Sequence, residues 1–162
     1  ALAVMTIDEM LAREGIRQTL ANYTLAGDRL RIDEFVAVFT SNAIMESDKV
    51  ADADAFRYEG HAEIRQWLTR WSNPSVVDQK THQATFVRHH LSTCHIELMD
   101  TNTARARTYW VAYTDIGPDH SGYYLDSFKK VDDTWLINHR RVRMDWRSPD
   151  SLFTTAIERS SS

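Results

Sequence analysis

The chain has 162 residues, a formal net charge of -4 and 43% hydrophobic residues. That is the size and apolar content of one globular domain, and the charge balance argues against a nucleic-acid partner. A single cysteine, Cys94, excludes an intrachain disulfide and a cysteine-rich zinc site. No apolar run reaches the roughly 20 residues of a membrane span. The opening ALAVMTIDEM lacks the basic and apolar regions of a signal peptide, so the expected setting is cytoplasmic. One domain over 1–162 is expected, with 1–5 and 157–162 as flexible ends.

The first expected element is a helix. Thr6 followed by Glu9 is a capping-box pair, and Ile7, Met10, Leu11, Leu20, Tyr23 and Thr24 recur at helical spacing up to Gly27. A short helix over Asp33 to Phe39 and a short strand over Ala43 to Glu46 come next. Ile64, Trp67, Leu68 and Trp71 then mark an amphipathic helix, ended by SNPS. Residues 84–99, 103–115, 121–131 and 134–146 read as long strands rich in Val, Ile, Thr, Tyr, Phe and Trp, separated by MDTNT, IGPDHSG and VDDT. Helices followed by a strand meander define an α+β fold. The expected form is a cone: a curved antiparallel sheet, an α+β barrel, wrapped around N-terminal helices with a pocket at its open end.

Within FVRHHLSTCHIEL, residues 86–98, strand alternation separates the histidines. The even row is the more apolar toward its end, which turns His90 inward and His89 and His95 outward; a bulge would exchange the faces. An inward histidine acts as a base when a buried carboxylate holds its other ring nitrogen. Asp28, among Leu25, Leu30 and Ile32, is the candidate partner, although read alone it is better explained as a turn residue after a helix.

The pattern Tyr23 to Asp28, the run RHHLST at 88–93 and YLDSFKKVDDTWLI at 124–137 together resemble the SnoaL-like families of the nuclear transport factor 2-like (cystatin-like) superfamily. The likeness is to scytalone dehydratases, lindane dehydrochlorinases and bile-acid dehydratases. It implies a cofactor-independent lyase, a dehydratase by first choice, acting on a hydrophobic cyclic oxygenated small molecule. His90 and Asp28 are then the catalytic pair. Tyr23 and Arg143 match pocket positions of the bile-acid type. The first-strand tyrosine of those enzymes is missing near Ser47, which leaves Tyr58 or Tyr113 as replacements, and Trp110 as a pocket wall. The superfamily also holds isomerases, polyketide cyclases, dioxygenase small subunits and non-catalytic ligand- or partner-binding modules.

No metal-ligand spacing, nucleophile motif or nucleotide-binding glycine motif occurs, so neither a metal nor a cofactor is expected. Trp67, Trp71 and Trp135 read as core. Leu152 and Phe153, after Pro149, either cover the pocket mouth or staple the tail to the surface. A broad outer sheet face carrying Tyr, Trp and Val points to a homodimer or homotrimer.

Overall fold

A computed structural model describes residues 4–48, 55–71 and 84–153. The elements run α1 (Ile7–Asp28), α2 (Ile32–Ala37), β1 (Phe39–Ser47), β2 (Phe56–Glu59), α3 (Gly60–Arg70), β3 (Arg88–Leu98), β4 (Thr103–Thr114), β5 (Gly117–Val131) and β6 (Thr134–Arg147). They form the expected α+β fold, with a six-stranded curved, unclosed sheet ordered β2-β1-β6-β5-β4-β3. All neighbouring strands are antiparallel except β1 and β6. SNPS and the residues after it, expected to end α3, lie outside the described residues.

α1 begins as its sequence dictates. Thr6 Oγ1 accepts the Glu9 amide at 3.2 Å, and the Glu9 carboxylate accepts the Thr6 amide at 2.7 Å. Its buried face is Ile16, Thr19, Leu20, Tyr23 and Ala26, whereas the expected Ile7, Met10 and Leu11 stand in solvent. The helix passes through Gly27 and stops one residue later. The Arg31 amide donates to Ala26 O at 2.9 Å and the Leu30 amide to Gly27 O at 3.1 Å, the two bonds of a Schellman ending. The left-handed position of that motif, usually glycine, is Leu30 at φ 53°.

α1 lies antiparallel along β3 and is tied to it at two places. Arg13 Nη1 donates to Ile96 O at 2.6 Å, and the His89 amide donates to Asp28 Oδ2 at 2.9 Å. The spans match: fifteen helical residues cover about 22 Å and seven strand residues about 23 Å, so both ties fit elements lying side by side.

β4 shows strict alternation, with Ala104, Ala106, Thr108, Trp110, Ala112 and Thr114 turned toward the helices. Its neighbours do not. On β3 the register moves from Leu91↔Trp110 to Cys94↔Thr108, which leaves one extra residue on β3. On β5 it moves from Ala112↔His120 to Tyr113↔Pro118, which leaves Asp119 as the extra residue. On β6 it shifts twice, between the partners of Ser127 and Phe128 and between those of Ser121 and Gly122. Each is a β-bulge, which exchanges the two faces of the strand beyond it. At the last of these, Gly122 lies so close to β6 that a Cβ would sit 1.8 Å from Arg143 O.

A buried ion pair spans β5 and β6. Arg140 Nε and Nη2 donate to Asp126 Oδ1 and Oδ2 at 2.8 and 2.7 Å, with both side chains fully buried. The guanidinium carbon lies 4.0 Å from the Tyr23 ring centroid and 3.8 Å from that of Tyr124. Arg140 Nη1 has no hydrogen-bond partner among the described residues; the two aromatic faces supply the missing stabilisation.

Candidate active site

The helices and the concave face of the sheet enclose a cavity of about 400 Å³. Its walls are largely aromatic. Phe35, Phe56, Trp67, Trp71, Trp110 and Tyr124 all face it, with Trp110 and Tyr124 stacked at 5.7 Å. Such a lining fits an apolar, flat ligand of small-molecule size. Trp67 and Trp71 therefore do more than fill the core, while Trp135 is buried core.

The polar groups facing this space are few. The Asp28 side chain, at the last turn of α1, is 6% exposed. A carboxylate there sits against the negative end of the helix dipole, an unfavourable position. It is offset by a single residue, His89, which donates its backbone N–H to Oδ2 at 2.9 Å and its Nδ1–H to Oδ1 at 2.5 Å. That leaves His89 Nε2 as the ring nitrogen for a bound molecule.

The expectation that His90 turns inward is thus corrected. His90 lies on the outer face, its ring 4.8 Å from Tyr113, and it is exposed. The physical reason is the bulge between Leu91 and Cys94: inward Cys94, Ile96 and Leu98 belong to the even row, but inward Val87, His89 and Leu91 to the odd row. The inward parity set by the apolar end of β3 is therefore inverted on the His89 side of the bulge. His95, beyond it, is exposed as expected.

Of the other expected residues, Asp28, Tyr23 and Trp110 line the cavity. Tyr113 does not, because it faces away with His90. Tyr58 lies behind the wall, its hydroxyl accepting from Arg70 Nη1 at 3.4 Å, and it is Arg70 that borders the space. Arg143 is also corrected: it points outward and pairs with Asp48 at 3.4 Å. The bulge around Asp145 and Trp146 turns Arg147 inward instead, onto the cavity.

A second histidine–carboxylate pair was not visible in sequence. The IGPDHSG stretch reads as a turn, yet β5 begins at Gly117. The bulge at Asp119 lets two consecutive residues point inward. His120 Nδ1 donates to Asp119 Oδ1 at 2.7 Å, and His120 borders the cavity with its ring 5.9 Å from that of His89. Burial pushes the His120 pKa down, only partly opposed by the Asp119 hydrogen bond; the nearby His89 and Arg147 push the same way as burial. Both burial and these neighbours favour the neutral imidazole, whose Nδ1 carries the proton given to Asp119. Burial raises the Tyr23 pKa despite the lowering influence of Arg140, and Tyr124 is raised further by the same cause. Both stay as phenols and can donate hydrogen bonds. Among the described residues no group of three or more potential ligands could hold a metal ion, and no helix is long and apolar enough to cross a membrane.

With this geometry in view, comparison with known proteins places the chain. The model of the SnoaL-like domain matches residues 8–141, so the chain belongs to the SnoaL-like family. Among solved structures it is similar to a candidate scytalone dehydratase from Novosphingobium aromaticivorans, at 19% identity over 89% of this chain and 91% of that one, TM-score 0.70. A hexachlorocyclohexane dehydrochlorinase from Novosphingobium barchaimii superposes with TM-score 0.68 at 11% identity, covering 88% and 92%. The β subunit of a candidate aromatic-ring-hydroxylating dioxygenase from N. aromaticivorans gives 0.67 at 16%, covering 90% and 97%. At these identities the likeness is one of fold. Comparison with curated proteins finds no significant match.

Proposed function

We propose that the protein is a cofactor-independent lyase that eliminates water from a hydrophobic, cyclic β-hydroxy carbonyl compound. The observation that carries this reading is the His89–Asp28 pair at the wall of an aromatic cavity. His89 Nε2 takes the proton from the carbon beside the carbonyl. Asp28 holds Nδ1–H at 2.5 Å, fixes the tautomer and stabilises the imidazolium that forms. The C–H electron pair moves into the carbonyl to give an enolate, whose charge meets the guanidinium of Arg147 and the phenol of Tyr23. As the enolate collapses, the C=C bond forms and the C–O bond to the leaving hydroxyl breaks. That oxygen takes a proton from the His89 imidazolium and departs as water, which returns the base to its starting state.

His120 has a different part. As a neutral imidazole it accepts, through Nε2, a hydrogen bond from a substrate hydroxyl and orients the ring against Trp110. The same half-reaction, without loss of hydroxide, would make an isomerase or a cyclase, so the leaving group of the true substrate decides the reaction type. Non-catalytic use of the fold, as a ligand-binding module or a dioxygenase-type small subunit, would give no reason for a carboxylate at a helix C-terminus tied to a cavity histidine.

A panel of cyclic β-hydroxy ketones and their aromatic counterparts, screened first for binding and then for absorbance of the conjugated product, tests the reading. Turnover that disappears in His89→Gln supports it. Tight binding across the panel with no product and no exchange of the α-hydrogen with deuterated water would overturn it in favour of a binding module.

A further inference from the structure

The second pair has a feature that the reaction above does not use. Asp119 is fully buried and its carboxylate accepts four hydrogen bonds. Thr114 Oγ1 and the Leu152 amide donate to Oδ2 at 3.1 and 2.9 Å, and His120 Nδ1 and Ser151 Oγ donate to Oδ1 at 2.7 and 2.5 Å. Two donors come from the cavity side of the sheet and two from the segment after β6. That segment is folded onto the bulge: the Ser148 amide donates to Asp119 O at 2.8 Å, and the Phe153 amide donates to Ser151 Oγ at 3.1 Å. It ends with the Phe153 ring 5.6 Å from His120 and 6.0 Å from Trp71, at the cavity wall.

We propose that Asp119 is a positioning residue that makes seating of the segment Ser148–Phe153 and deprotonation of His120 one linked equilibrium. One oxygen, Oδ1, receives both the His120 ring proton and the Ser151 hydroxyl. When the segment leaves, Asp119 loses two of its four donors, and His120 loses the Phe153 ring that keeps water from it. The charged and titratable groups that face the His120 ring are then Asp119 beneath it, His89 on β3 and Arg147 on β6. With less desolvation the imidazole holds its proton more readily. Reciprocity of linkage requires the converse: a protonated His120 weakens the seating of the segment. The site is closed with His120 neutral, as its hydrogen-bonding part requires, and opens as the ring gains a proton. This inference rests on the proposed function only for its consequence; the linkage itself belongs to the resting protein.

The test needs no substrate. Uniformly ¹⁵N-labelled full-length protein is titrated by NMR, following the imidazole nitrogens of His120 and the heteronuclear NOE of the Phe153 amide. Ser151→Ala removes one tail donor and leaves the ring hydrogen bond in place. The expected result is a His120 pKa raised by about half a unit or more toward the ordinary histidine value, together with a lowered Phe153 NOE, and both restored in Ser151→Thr. In the unaltered protein the NOE should fall along the same titration curve as His120. Phe153→Ala serves as an independent variant and should raise the pKa without touching Asp119. A Phe153 loosened by Ser151→Ala over an unmoved His120 titration overturns the linkage, as does a Phe153 NOE that stays flat while His120 titrates. Loss of turnover with this linkage intact would count against the reaction, not against the linkage.

Discussion

Replacing Asp126 with Asn keeps the shape of the side chain and removes its charge. In the folded protein this leaves Arg140, fully buried, without the carboxylate that takes two of its donors at 2.7 and 2.8 Å. Removing one partner of a buried pair costs about 3–5 kcal/mol, because the remaining charge stays desolvated. Part of the cation's stabilisation survives: the Tyr23 and Tyr124 faces at 4.0 and 3.8 Å are still present, each worth on the order of 1–2 kcal/mol in a dry site. The lower half of the range, about 3 kcal/mol, is therefore expected. For a chain of this length each kcal/mol moves the melting temperature by about 2–4 °C, so the midpoint should fall by about 6–12 °C. Circular dichroism melts, with urea titrations as a second measure, provide the assay. Asp126→Leu combined with Arg140→Met should recover most of the loss, since apolar replacement of a whole buried pair is often neutral. A fall of less than about 1 kcal/mol in the single variant would refute the reasoning and mean that water reaches Arg140.

Other perturbations give equally distinct outcomes. Gly122→Ala places a methyl 1.8 Å from Arg143 O, so β5 and β6 must part; a loss of at least about 3 kcal/mol by denaturant titration is expected, at or beyond the upper end for overpacking. His120, whose folded pKa lies below its ordinary 6.5, binds its proton more readily in the unfolded chain. Stability is therefore unaffected above that value and falls as pH drops below it, a loss that melts of His120→Gln across pH 7.5 to 5 should no longer show. Asp119 adds a later loss. Its hydrogen bonds to His120, Ser151 and Leu152 outweigh burial and hold its pKa well below 3.8, so its contribution is complete above that value and fades as pH falls beneath it. Thermal melts of wild type from pH 4.5 to 2 should show this second decline, with a smaller slope in Ser151→Ala.

Most of the fold could be read from the chain because it is written in local patterns. The Thr6–Glu9 capping box, the Ile64 and Leu68 stripe and the four long β-rich runs each specify an element without reference to the rest. β2 was missed because only four residues, Phe56–Glu59, form it. The site was legible only in part. Asp28, Tyr23 and Trp110 lie on elements with regular periodicity, and all three reach the cavity. His89, His120 and Arg147 also border the cavity, but each lies next to or beyond a bulge that inverts strand parity. A bulge is set by pairing with a neighbouring strand, as in the jump from Leu91↔Trp110 to Cys94↔Thr108, so nothing in a single strand's sequence announces it. Two weak signals were present. A carboxylate in the last turn of α1 breaks a local rule at that helix end, and such departures gather at functional sites. Adjacent histidines at 89 and 90 also place one of them inward wherever the strand alternates regularly at that point.

The central claim, that His89 with Asp28 and not His90 carries the chemistry, is tested most directly by kcat/KM for elimination on the best substrate of the β-hydroxy ketone panel, measured for His89→Gln, His90→Gln and Asp28→Asn side by side. The account predicts that His90→Gln retains wild-type activity, while His89→Gln and Asp28→Asn each lose a factor of about 10²–10⁴, measured below the melting transition of each variant. Full activity in His89→Gln, or a loss of that size in His90→Gln, would contradict it.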